Sequence, residues 1–247
     1  MSEAFTMTAR CLRLSRRQID ALIMSLVLPV LLMLVFVELF GGAIQAGGKY
    51  VTYVVPGVLV LSASYNAGLT AVGVSQDMSG GMIDRLRSMD VRATSVLAGH
   101  VAASAARNAA SMILVFAVAL LLGFRPHGDA PDWLAAAGIL LAFTIAISWL
   151  SATLGLLARS PEAANGFTFL IMFLPYASSA FVPVHTMPSW LRGFAGHQPI
   201  TPIANSLRGL LLGTPVGSQP WIAHAWCAGV LLTSIIASTV LFARRTA

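Results

Sequence analysis

The chain has little charge, little cysteine and almost no lysine. Charged residues make up 10% of its 247 positions, where a soluble domain carries about a quarter. Its two cysteines, Cys11 and Cys227, have no His or Cys at metal-ligand spacing, so neither a disulfide framework nor a zinc site is expected. Lys49 is the only lysine, and the arginines are scattered between apolar runs. Without a basic stripe and interleaved exposed aromatics, the net charge of +6 does not point to nucleic acid. HExxH and GxSxG are missing. In Gly42 to Tyr50 (GAIQAGGKY) the lysine is out of register for a phosphate loop, and Tyr50 stands where Ser or Thr would hold magnesium. The chain is therefore expected to be no enzyme and to bind no cofactor. An ion-driven carrier would need carboxylates near mid-membrane. Glu38 is the one acid within an apolar segment, open to being an interfacial carboxylate or a partner for Lys49 or Arg192.

Apolar residues supply 57% of the sequence and the mean hydropathy is +0.81, which describes a polytopic all-α membrane protein. Apolar runs predict six transmembrane helices at 21–40, 51–74, 93–123, 133–157, 165–184 and 221–243. Residues 1–20 precede them as an amphipathic helix at the membrane surface, its arginines toward headgroups or cytosol. The run 93–123 would rise about 46 Å as a helix, more than the ~30 Å hydrocarbon core needs. Its first turns are expected to project, sparing Arg107 the midplane. Residues 185–214 are too polar and proline-rich to cross. They read as a re-entrant hairpin of two short helices, broken at Gln198 to Pro202, that dips into one leaflet.

Six spans put both termini on one side. With them go Arg10, Arg13, Arg16, Arg17, Arg85, Arg87, Arg92, Arg159, Arg244 and Arg245, against Lys49, Arg125, Arg192 and Arg208 on the other. The bias predicts cytoplasmic termini in a multi-pass cell-membrane protein and an extracellular hairpin.

The densest charge outside the termini is Gln76 to Arg92, QDMSGGMIDRLRSMDVR. If helical from about Gly81, it presents Met78, Met82, Ile83, Leu86 and Met89 on one face and Asp84, Arg85, Arg87 and Ser88 on the other. It reads either as a solvated loop that fixes topology or as a docking helix for a soluble partner. Two polar stripes run inside spans, one through Ser62, Tyr65, Asn66 and Thr70, the other through Asn165, Thr168, Met172, Tyr176 and Ser179. Helix packing explains such stripes. A pathway wall for an amphipathic molecule, with Phe169 and Phe173 alongside, is the alternative.

The segment DMSGGMIDRLRSM, followed by Arg92, Leu97, Gly99 and Arg107, resembles the cytoplasmic loop and third span of ABC-2 type permeases, in particular their daunorubicin-resistance branch. A second stretch, Asn165, LPYASSAFVPVHTMPSWL, QPIT, Asn205, Leu207, Arg208 and LLLG, resembles the same family. Asp90, His100, and His197 with Gln198 depart from its pattern. The resemblance implies the membrane subunit of an ATP-binding cassette exporter for a hydrophobic or amphipathic compound such as an antibiotic. Its partners would be a nucleotide-binding ATPase carrying ATP and Mg, a second permease chain, and membrane lipid. Residues 76–92 would hold the cytoplasmic coupling helix between spans 2 and 3, with Met82, Ile83, Asp84, Arg85, Leu86, Arg87 and Met89 seated on the ATPase and Arg13, Arg16 and Arg17 of the N-terminal helix beside them. Spans one, two and five would line the path. The hairpin between spans 5 and 6 would form the extracellular gate, with Trp190, Phe194, Pro199 and Pro202. Export of a lipid or polysaccharide precursor, and a non-transporting scaffold or sensor that recruits an ATPase, stay open beside it.

Overall fold

The computed structural model describes residues 3–42, 49–80 and 93–246, and its regular structure among these residues is all helical. Helix α1 (Glu3–Arg17) leads through Gln18 into α2 (Ile19–Leu34), which widens into a π-helical turn at Val35–Leu39. Then come α3 (Tyr50–Ser79), α4 (Ala93–Leu121) and α5 (Ala130–Leu157). Helix α6 (Pro161–Phe173) continues as a 3-10 turn, Leu174–Ala177. After a second such turn, Val184–Thr186, follow α7 (Ser189–His197), α8 (Ile200–Leu212) and α9 (Gln219–Thr246).

Five helices among the described residues are long and apolar enough to cross a membrane: Ile19–Leu39, Tyr50–Ser79, Thr94–Leu121, Ala130–Leu157 and Gln219–Phe242. The run 165–184 is not among them. Its helix starts earlier, at Pro161, where Ser160 Oγ caps the free amide of Ala163 at 3.2 Å. It also stops earlier, because Pro175 has no amide hydrogen to give and its ring crowds the preceding turn.

Helix α3 is the axis of the bundle and packs against α2, α4, α5, α6 and α8. It is buried along most of its length, from Tyr50 to Ser75. Close approach explains its glycines. A Cβ on Gly68 would collide with the Thr168 side chain of α6, and one on Gly57 would strike the Ala180 carbonyl. Pro56 lies one turn and a half inside α3, beyond the first turn in which a proline forfeits no amide bond, and is buried.

Two of the segments expected at the membrane surface, α1 and α8, bury apolar side chains against other helices. Helix α1 packs along α4 and buries Met7 and Cys11 there, with Gly99 of α4 leaving room for Met7. The expected hairpin does consist of two short helices, but α8 is enclosed between α3, α5 and α9, with Ile203, Ala204 and Leu207 shut off from any solvent. The break between them is confined to Gln198 and Pro199. Pro202 belongs to the first turn of α8, where a missing amide costs no hydrogen bond. Gly213 ends α8 in the left-handed region at φ 66°, and its amide closes the last turn. Cys11 and Cys227 are both buried free thiols.

Candidate functional site

The sequence puts Gln76 and Asp77 in a charged loop, but both lie on the final turns of α3, and this changes what Asp77 does. Arg10 of α1 grips its carboxylate with both terminal nitrogens at 2.8 Å, a bidentate pair in the planar fork geometry that guanidinium and carboxylate share. From α4, His100 Nε2 meets Oδ2 of the same carboxylate, shared with one Arg10 nitrogen, at 2.9 Å. One acid thus joins three helices. The hydrogen bond to Asp77 raises the pKa of Arg10 above its ordinary value. The residues between α3 and α4, 81–92, lie outside the described residues. With them lie the expected docking residues Met82, Ile83, Asp84, Arg85, Leu86, Arg87 and Met89. Arg13 and Arg17 are exposed on α1, while of Arg16 only its place in that helix is described.

Two turns further along α4, Arg107 reaches back to the same neighbours. Its terminal nitrogens donate to Ser15 Oγ of α1 at 2.6 Å and to Thr70 Oγ1 of α3 at 3.4 Å, and its Nε is buried without a partner. Beside it a cavity of about 390 Å³ opens between α1, α2, α3 and α4, lined among others by Ser15, Gln18, Leu22, Thr70, His100 and Arg107.

The opposite end of α3 carries a second polar knot. Arg208 of α8 donates from Nε to the Tyr53 carbonyl at 3.2 Å, and from its terminal nitrogens to Asn205 Oδ1 and the Ser179 carbonyl, each at 2.8 Å. Its guanidinium carbon lies 3.8 Å from the centre of the Tyr53 ring. Tyr53 and Tyr50 donate to the carbonyls of Ser179 and Phe181, both at 2.9 Å, so the turn passage after α6 is fastened to α3. On that passage Tyr176 stacks on Phe181, and Phe181 on Phe36 of the π-helical turn, at 5.1 and 4.4 Å between ring centres.

The expected pathway residues divide between two environments. Ser62, Asn66 and Thr70 are buried against α2 and α4. Ser62 pairs with Ser111 at 2.8 Å, Asn66 Nδ2 reaches the Ser62 carbonyl at 3.1 Å, and Ser111 donates to the Ser25 carbonyl at 2.9 Å. Tyr65 is partly exposed on another face of α3. On α6, Asn165, Phe169 and Phe173 point outward, Met172 and Tyr176 are half-buried, and Thr168 turns in to donate to the Gly68 carbonyl at 3.0 Å. Of the expected gate residues, Trp190 and Phe194 are exposed on α7, Pro199 is half-buried and Pro202 is buried. The sequence reading missed Arg10, Asp77 and Tyr53 as partners. Asp77 was detectable only as an acid in helical phase with the apolar run before it; its cations are 67 and 23 positions away.

A family model described as ABC-2 type transporter matches residues 2–212. A daunorubicin resistance ABC transporter permease protein, DrrB1 of Streptomyces coeruleorubidus, is 29% identical over 227 residues, 91% of this chain and 77% of that protein. A probable doxorubicin resistance ABC transporter permease protein, DrrC of Mycobacterium tuberculosis, is 25% identical over 251 aligned positions, 99% of this chain and 89% of that protein.

Proposed function

The chain belongs to the ABC-2 type transporter family, and on that premise we propose that it is the permease subunit of an ATP-driven exporter of a hydrophobic or amphipathic compound of the antibiotic class. What carries the cargo class is the match along nearly the whole chain to permeases named for daunorubicin and doxorubicin resistance. ATP and its magnesium belong to a separate ATPase subunit, docked on residues 81–92 and on the exposed Arg13 and Arg17 of α1. The arginine bias supports a cytoplasmic position for this end. The passage 161–177 serves as the sixth crossing: its 13 α-helical and 4 3-10 residues rise about 28 Å together, close to the hydrocarbon thickness.

A second permease chain would cover the outward faces of α2 and α6, which expose Met24, Leu31, Phe169, Leu170 and Phe173. Tyr65 and Asn165 give that apolar surface a few polar contacts, the mix that an amphipathic cargo needs. Trp190 and Phe194 on α7 would close the outer mouth. The ATPase can drive such a cycle only if its closed form contacts one permease state better than the other. The Arg10, Asp77 and His100 junction ties α1, α3 and α4 together next to residues 81–92, so a push there reaches three helices.

The test is co-purification with candidate ATPases, reconstitution in lipid vesicles, and ATP hydrolysis with and without amphipathic antibiotics. Stimulation by a compound that also accumulates in inverted vesicles is the expected result. Hydrolysis that no drug alters would replace the antibiotic by a lipid or glycan cargo, and ATPase coupling with no movement of any cargo would turn the protein into a scaffold or sensor. Arg85→Glu with Arg87→Glu should abolish co-purification; retention would end the docking assignment.

A further inference from the structure

We propose that the cavity between α1, α2, α3 and α4 binds the oxyanion head of an amphiphile, a phosphate-type group on an apolar body, with Arg107 as its counter-ion.

Arg107 carries five N–H donors in a fixed fork and spends them on two neutral hydroxyls, one of them at 3.4 Å. Among the described residues no carboxylate lies within ion-pair distance of it. Arg107 is half-buried, and a guanidinium largely withdrawn from water without an opposite charge is costly. An oxyanion in the adjoining space would offset that cost and supply acceptors for the donors left over, since guanidinium matches phosphate in two parallel bonds. The space is adequate, because ~300 Å³ already suffices for a small-molecule pocket and this cavity offers about 390 Å³.

The lining has both characters that an amphiphile requires. Leu14, Leu22, Leu69 and Val72 supply apolar wall, while Ser15 and Gln18 supply hydroxyl and amide groups. Its two carboxylates do not make it a cation site. Asp77 is already taken by Arg10 and His100, and Asp20 is exposed in the first turn of α2, where the helix dipole favours an acid. Arg208 shows what this fold does with an arginine that only staples: all three of its nitrogens have acceptors and an aromatic ring covers it.

The inference does not depend on the cargo, because it concerns the permease chain alone. Purified chain in detergent is titrated with phosphatidylglycerol, phosphatidylcholine, dodecyl phosphate and inorganic phosphate, and binding is followed by thermophoresis. Phosphatidylglycerol or dodecyl phosphate should bind at least tenfold more tightly than phosphatidylcholine. Arg107→Gln should remove that preference, Arg107→Lys, which keeps the charge without the fork, should keep part of it, and Arg125→Gln at the far end should leave it unchanged. A stronger signal from phosphatidylglycerol assigns the site to bilayer lipid, and a stronger one from dodecyl phosphate to an anionic cargo. Equal affinity for phosphatidylcholine, or competition by inorganic phosphate as effective as by dodecyl phosphate, overturns the proposal. Because Arg107 variants can fail to fold, the unaltered chain is also labelled with a photoactivatable phosphatidylglycerol and the adducts mapped. Labels within residues 14–22 or 69–73, competed by phosphatidylglycerol but not by phosphatidylcholine, are the supporting outcome; labels elsewhere count against it.

Discussion

Arg208 and Arg107 are both half-buried arginines in an apolar bundle, one near each end of α3, and they are treated in opposite ways. Arg208 has an acceptor for every nitrogen, two of them backbone carbonyls, and no carboxylate among its partners. Arg107 has two hydroxyls, a nitrogen without a partner, and a cavity at its side. The charge is the same, so the difference lies in how much of the guanidinium each site uses. A cation whose hydrogen-bonding capacity is filled by the protein holds segments together. One whose capacity is left open is available to something that comes and goes.

The strongest way to break this contrast is Arg208→Ala. It removes three charge-assisted hydrogen bonds, to the Ser179 and Tyr53 carbonyls and to Asn205 Oδ1, and should cost about 3 kcal/mol, with Arg208→Lys rescuing little because one ammonium cannot reach three acceptors in fork geometry. Thermal unfolding in detergent checks it; a loss below about 1 kcal/mol would remove the staple reading. Midway between the two ends, Gly68→Ala should cost about 2 kcal/mol by forcing α6 off α3, and Thr168→Ser, which takes away the methyl in the way, should recover part of it. If the two changes are simply additive in unfolding measurements, the close approach does not limit the packing there.

At the Arg107 end, Asp77→Asn should cost about 1.5 kcal/mol by dissolving a bidentate pair that is only partly screened from water. A double-mutant cycle with Arg10→Gln measures the coupling, which should be near the whole effect of the Arg10 change, the remainder of the Asp77 effect belonging to His100. The smallest stability change belongs to Arg107→Gln. In lipid-free detergent it should lie within about 1 kcal/mol of zero, since the side chain removed was an uncompensated charge. A loss as large as that of Arg208→Ala would make the two sites equivalent and erase the distinction.

Much of the bundle could be read from apolar runs alone, because a span must be long and uncharged whatever it packs against. That logic located α2, α3, α4, α5 and α9 within a few residues of their limits, and α1 and the α7 and α8 pair as short amphipathic helices. It failed where periodicity and tertiary packing part company. The sequence Leu174, Pro175, Tyr176 carried the signal that α6 would end, but an apolar run through it reads as continuous. The amphipathic pattern of α8 was real, yet its apolar face meets protein on α3, α5 and α9, and periodicity cannot tell a protein neighbour from lipid. The stripe Ser62, Asn66, Thr70 was seen correctly as a polar face of α3, while its partners Ser25 and Ser111 lay 41 and 49 positions away from its members.

The Asp77 and His100 contact also has a mechanical meaning. Those residues stand three positions before Gly80 and seven after Ala93, so the contact clasps α3 and α4 across the base of the segment that links them. A linked pair without such a clasp answers a pull by scissoring open, and the displacement is absorbed at the hinge. With the clasp, and with Arg10 adding α1 to it, the pair becomes a handle: force applied beyond residue 80 turns the three helices as one rigid lever.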